Sequence, residues 1–343
     1  MLRATTFLGL LLLVGAPLVN AAEPAKTWEP TQTWETPHRI FALAMSQDGK
    51  LVAATGSHGI VTLWDAQTGK LIKFCTGSRD DSTCVAISPD KKLLAVGGIE
   101  GDVQVFDIEK GTLAYSFVEN RSRLMHVDFS SDGKTIFSTC WDASMRWWNA
   151  ADGKSISKTD AIPIGKGSTA LGAASGEVLV ASSFPGFALK SHVPTNSPLK
   201  MIDLAKGQIV TQLPQEETPW ALSTTPHRPL VAVGTANGNI HVWDMDEKKK
   251  VAGCTIETPG HDETGRGIVG LSIINEAKHL FAMTMNGFGG IYSAKDGSMV
   301  KKIERPTIEF ASVAVAPAAS KAIISQWNQK IELFDLTVAA NDP

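Results

Sequence analysis

Apolar and polar positions along this chain alternate in short blocks of four to seven residues, the spacing of strands rather than helices. Each unit reads as an apolar strand, a polar turn, a second apolar strand, a Gly or Asn turn, and a third strand closing on an aromatic or aliphatic residue. The closing dipeptides are Trp64-Asp65, Phe106-Asp107, Trp148-Asn149, Ile202-Asp203, Trp243-Asp244, Tyr292-Ser293 and Phe334-Asp335. They stand 42, 42, 54, 41, 49 and 42 residues apart. Four intervals agree within one residue, and the two longer ones must hold insertions. A period in the forties is that of propellers and solenoids.

Each closing dipeptide except the last is followed by a tight turn and a fourth short strand, as in DAQTGKLIKF and DIEKGTLAYSF. Glycine there permits the positive φ that hairpin turns require. The turns between first and second strands, SQDGK, SPDKK and SSDGK, repeat the same chemistry. Four short strands per unit and seven units predict an all-β fold, a seven-bladed β-propeller of four-stranded antiparallel blades, rather than a sandwich.

A second count supports this register. Six residues before each closing position stand His58, Glu100, Asp142, Asn196, Asn237, Asn286 and Asn328, all polar. Such side chains bond their own turn and tolerate a left-handed backbone, which suits the connection between second and third strands. After Phe334-Asp335 only LTVAANDP follows, so the last unit lacks its outer strand. The segment Lys26–Glu35, KTWEPTQTWE, has the length to supply it and close the ring, removing an edge that would invite aggregation.

From residue 30 or so onward the units resemble those of the WD-repeat family. Trp64-Asp65 and Trp243-Asp244 match its strand-ending dipeptide, and Asp142 in STCWDASMRWWN matches its turn aspartate. The family's Gly-His before the first strand is absent from most units: Gly260-His261 falls in an insertion, and His38 lacks its glycine. The His–Ser–Asp–Trp network that the family would imply is therefore not expected in full. Stacking of apolar blades supplies a core without it.

Composition adds a compartment and excludes some partners. The N-terminus carries Arg3, an apolar run of 13 residues from Phe7 to Val19, and small residues Ala21 and Ala22. That run is shorter than the ~20 residues a bilayer span needs, so residues 1–22 read as a secretory signal peptide and 23–343 as the propeller. The expected location is secreted or periplasmic, with no membrane span after cleavage. Loss of Arg3 leaves 31 Lys plus Arg against 35 Asp plus Glu, a net charge of −4. Nucleic acid is an unsuitable partner for that balance. Cys75, Cys84, Cys140 and Cys254 are too scattered for a disulfide scaffold. Cys75 and Cys84 could meet across a loop, but the register puts one on an outer and one on an inner strand.

Candidate chemistry is sparse. The eight histidines show no helical pairing, and no phosphate loop or nucleophile elbow occurs. No catalytic residues, metal ligands or cofactor are expected. His126 and His241 read as packed strand residues, and Trp64, Trp147, Trp148 and Trp243 as core. One position before the polar turn residue, Trp141, Met285 and Trp327 should point outward; Trp220 and Phe41 share a place early in their first strands, near a channel mouth. Both insertions, Ser183–Pro198 with Phe184, Phe187 and His192, and Thr255–Gly267 with Arg266, should reach the same face. The reading is a scaffold that binds a protein or peptide there, with Trp141, Trp220, Met285, Trp327, Phe184 and Phe187 as apolar contacts and His192 and Arg266 as polar ones. The rivals are a propeller enzyme with convergent His, Asp or Glu at the channel mouth, and a carbohydrate-binding module stacking sugars on exposed Trp.

Overall fold

A computed structural model describes residues 28–338 except 77–79, 120–121, 131, 141–143, 160–172, 175–176, 181–198, 204–207, 214–216, 218, 226–229, 245, 259–264, 306–309 and 327–328. Its strands form seven four-stranded antiparallel sheets, referred to below as blades one to seven in chain order of their innermost strands. Blade one runs outward through Ile40–Met45, Leu51–Gly56, Ile60–Asp65 and Leu71–Thr76. The innermost strands of blades two to seven are Ser82–Ile87, Leu124–Phe129, Ala173–Ala174, Pro219–Thr224, Ile268–Ile274 and Phe310–Ala316. Those of blades seven, one, two and three pack side by side in that order, as do those of blades five, six and seven. The architecture is that of a β-propeller.

The turn chemistry explains the repeat. At three turns between first and second strands a serine hydroxyl donates to the aspartate two residues on: Ser46 to Asp48 at 2.6 Å, Ser88 to Asp90 at 2.7 Å and Ser130 to Asp132 at 2.6 Å. The aspartate that closes a third strand caps the next turn; Asp65 Oδ1 accepts the amides of Gln67 and Thr68, and Asp244 Oδ1 those of Asp246 and Glu247. Between second and third strands the left-handed residue is the one after the polar position, at Gly59, Gly101, Gly238, Gly287 and Gln329. His58 alone among the described polar positions is itself left-handed, with φ 60°. The polar side chain thus precedes the strained residue, and glycine carries the conformation at least cost.

Between blades the core is apolar. Cys84 and Ala86 of blade two meet Leu124, Val127 and Phe129 of blade three. Phe281 and Ile291 of blade six meet Ile324 and Phe334 of blade seven. Each large side chain buried this way contributes ~1.5–3 kcal/mol. Trp64, Trp147 and Trp148 are buried, the last stacked on Phe117 at 3.8 Å, whereas Trp243 is half-buried.

Gln32–Glu35 occupies the outer edge of blade seven, antiparallel to Lys330–Asp335, with Trp34 opposite Ile331. Trp34 also faces Trp64 of blade one at 6.3 Å. Upstream, the Trp28 amide donates to Lys302 O at 2.7 Å, its ring meets Phe334 edge-on at 5.5 Å, and Arg305 Nη2 donates to Glu29 at 2.9 Å. All four cysteines are free thiols, and burial pushes Cys84 up to about 12, which keeps it an unreactive thiol.

Candidate functional site

Every described innermost strand of six or seven residues carries a bulge after its first residue. Pairing with the second strand skips a position between Ile40 and Ala42, Ser82 and Cys84, Leu124 and His126, Pro219 and Ala221, Ile268 and Gly270, and Phe310 and Ser312. A bulged residue leaves the ladder and its side chain is re-aimed. Five of the skipped residues, Phe41, Thr83, Met125, Trp220 and Val269, line one cavity of about 780 Å³ enclosed by the innermost strands. The bulges therefore ring its mouth with mostly apolar groups.

Turns and incoming loops meet at the same mouth. The Ser57 amide donates to Arg39 O at 3.2 Å, Ile99 to Asp81 O at 3.1 Å and Met285 to Gly267 O at 2.9 Å. Each acceptor is the residue just before an innermost strand, and each donor sits in the turn between second and third strands. Those two kinds of connection thus share a face, the surface on which loops of a rigid scaffold can be varied. Among the described residues Ile99, Val118, Val269 and Met285 are exposed large apolar residues on this face, at 36%, 68%, 38% and 46%.

Of the candidate contact residues, three are described and lie together. Trp220 is half-buried on the bulge of blade five, Arg266 is half-buried in the loop entering blade six, and Met285 is exposed on the turn that bonds Gly267. Gly267 lies against the Trp220 ring, where a β-carbon would stand 2.0 Å from two ring atoms. Trp141, Trp327, Phe184, Phe187 and His192 lie outside the described residues, as do the loop 183–198 and residues 259–264 of the second insertion.

The rim of blade five is fixed by Glu217, which stands just before the innermost strand. Its Oε2 accepts the Thr235 hydroxyl at 2.6 Å and its Oε1 the Asn239 side-chain Nδ2 at 2.7 Å. His241 Nε2 stands 4.0 Å away. Elsewhere only fragments of a His–Ser–Trp network occur among the described residues: His38 Nε2 with Thr62 Oγ1 at 3.1 Å, and Trp148 Nε1 donating to Ser138 Oγ at 3.2 Å.

Deeper in the cavity stand His126 and Asp128 of blade three. Asp128 accepts the amide of Phe129 at 2.7 Å, and enclosure pushes its carboxyl up to about 6. His126 Nε2 is enclosed without a hydrogen-bond partner, and desolvation pushes the ring down to about 4, so it is neutral. Neither group, nor Met125 or Val269, stands out in the sequence, where His126 reads as strand packing; only the bulge register places them on the cavity wall. Among the described residues no group of three or more His, Cys, Asp or Glu could hold a metal ion, and no helix is long and apolar enough to cross a membrane.

Comparison with known proteins agrees with this geometry. The family WD40, described as WD domain, G-beta repeat, matches residues 28–65, 69–107, 111–149 and 207–244. Each match ends on a closing dipeptide of the repeat, at Asp65, Asp107, Asn149 and Asp244. Autophagy-related protein 16 of Arabidopsis thaliana is 23% identical over 209 residues, a stretch that spans 61% of this chain and 40% of that protein.

Proposed function

Taking the chain as the WD-repeat protein that its four matched segments make it, we propose that it is a binding scaffold for a protein or peptide, not an enzyme, with its contact surface at the bulged mouth. WD40 repeats as a class serve protein interaction, and the observation that supports this surface is the meeting of Trp220, Arg266 and Met285 near exposed Val269 on the bulge of blade six. Aromatic and Arg side chains at the centre of an apolar patch are the usual carriers of binding energy. Trp141, Trp327, Phe184, Phe187 and His192 extend the same surface in this proposal. The scaffold is exported after removal of residues 1–22 and works as one propeller domain, 23–343, in the periplasm or outside the cell; the apolar run Phe7–Val19 supports this.

The test is site-specific cross-linking of the purified protein in an extract of its native compartment. A photoreactive residue at Met285 should trap a partner, while one at Lys91, on a turn at the opposite ends of the innermost strands, should not. Trp220→Ala should abolish the Met285 product. Equal trapping from both positions would remove the basis for this surface.

A further inference from the structure

The two positions that follow the bulge on alternate residues of each innermost strand are small in five of the six blades where they are described. They are Ala42 and Ala44, Cys84 and Ala86, Ala221 and Ser223, Gly270 and Ser272, and Ser312 and Ala314. In blade three the same two positions are His126 and Asp128. Small side chains suit close blade stacking, so packing alone does not ask for an imidazole and a carboxyl there.

We propose that the channel wall at His126 and Asp128 is a binding site for a small organic ammonium compound, held by the Asp128 carboxylate and the His126 ring with its apolar body along the channel. The inference is independent of the protein-binding surface at the mouth. Its first support is charge: besides the unreactive Cys84 thiol, His126 and Asp128 are the titratable groups among the described residues lining the cavity, and none of those described residues is a Lys or Arg. Among the described residues the carboxylate therefore faces the channel with no cation beside it, and its one hydrogen bond comes from its own neighbour Phe129. The second is the enclosed Nε2 of His126, which has no partner; an unsatisfied buried polar atom is costly, and a ligand that donates to or accepts from it offsets the cost.

The remaining wall fits the rest of such a molecule. Met45, Val85, Met125, Leu222 and Val313 are apolar, and about 780 Å³ falls within the roughly 300–1,000 Å³ typical of small-molecule sites. A metal ion would need three or four ligands, and this wall offers two. An anion would meet the carboxylate unfavourably.

The experiment uses the purified full chain and three probes of one shape: phenethylamine, phenethyl alcohol and phenylpropionate. Binding is followed by calorimetry and by the ring resonances of isotope-labelled histidine, with His126 assigned by its loss in His126→Gln. Phenethylamine, as its ammonium ion, should bind and shift the His126 resonance; the alcohol should bind at least about tenfold more weakly, and the carboxylate not at all. Asp128→Asn, which keeps the acceptor for the Phe129 amide, should weaken the ammonium by about tenfold or more with an unfolding midpoint no lower than wild type. Failure of the ammonium to bind, undiminished binding by Asp128→Asn, preference for the carboxylate, or binding that leaves His126 unshifted would each overturn the assignment. Should Asp128→Asn fail to fold, the wild-type probe series and the His126 resonance decide the matter without it.

Discussion

Gly267 forms the floor on which the Trp220 indole lies, since a β-carbon there would stand 2.0 Å from ring atoms Cε3 and Cζ3. The glycine is required by space, not by an unusual backbone angle. Gly267→Ala must therefore turn the indole away from the mouth. The expected result is a changed Trp220 environment, seen as a fluorescence difference that Trp220→Phe abolishes, with a stability loss of ~1–3 kcal/mol. Unchanged fluorescence would mean that the loop moves instead.

Met285 and Trp64 should separate binding from folding. Met285 is 46% exposed and Trp64 6% exposed, so Met285→Ala should leave the thermal midpoint within a degree or two while weakening partner capture. Trp64→Ala removes a ring packed on Trp34 and should cost ~3–5 kcal/mol. Paired measurements of affinity and unfolding on both variants check this.

The strand Gln32–Glu35 should be indispensable to the last blade. It covers the edge of Lys330–Asp335 and brings Trp34 against Trp64. Deletion of residues 23–35 should lower the melting temperature sharply and promote aggregation through the uncovered edge. Calorimetry with light scattering measures both.

The channel pair should leave opposite marks on pH dependence. Asp128 titrates near 6 in the fold against an ordinary 3.8, so folding takes up a proton between those values and stability falls as pH rises from about 4 to 6. His126 titrates near 4 against an ordinary 6.5, so folding releases a proton and stability rises from about pH 4 to 6.5. In the wild type the slopes oppose each other. Asp128→Asn should match wild type near pH 4 and exceed it increasingly up to about pH 6, while His126→Gln should exceed it near pH 4 and match it above about 6.5. Thermal midpoints across that range read both effects.

Export should remove the first 21 or 22 residues, given the Val19-Asn20-Ala21-Ala22 sequence. N-terminal sequencing of protein recovered from outside the cytoplasm should begin at Ala22 or Glu23. Recovery of such protein beginning at Met1 would contradict a cleaved leader.

The sheet fold was legible because its signals are local. Asp65 and Asp244 cap turns two and three residues away, and Ser46 bonds Asp48, so each turn is written where it occurs. The mouth was only half legible. Phe41 and Trp220 share a place in their strands, but that Met125 and Val269 join them depends on a pairing register skipping one residue, and nothing in LMHVDF or IVGLSII marks the skip. His126 escaped for the same reason: alternation assigns it a side of the strand, whereas only the ring's curvature decides whether that side meets solvent-filled space. The seat of Trp220 on Gly267 joins residues 47 apart, beyond any local pattern.

The pairing of Gln32–Glu35 with Lys330–Asp335 also sets an order of events. The strand Gln32–Glu35 has no place to dock until its partner Lys330–Asp335, far later in the chain, has been made. Blades one and two can form early from neighbouring residues, but the final sheet must wait for a contact between residues as far apart as Trp34 and Ile331, the kind of loop closure that slows folding. A nascent chain of this design stays open on one side until Lys330–Asp335 has been made. For a protein proposed to cross a membrane as an extended thread, that delay is compatible with passage: closure comes only once Lys330–Asp335 has arrived on the far side.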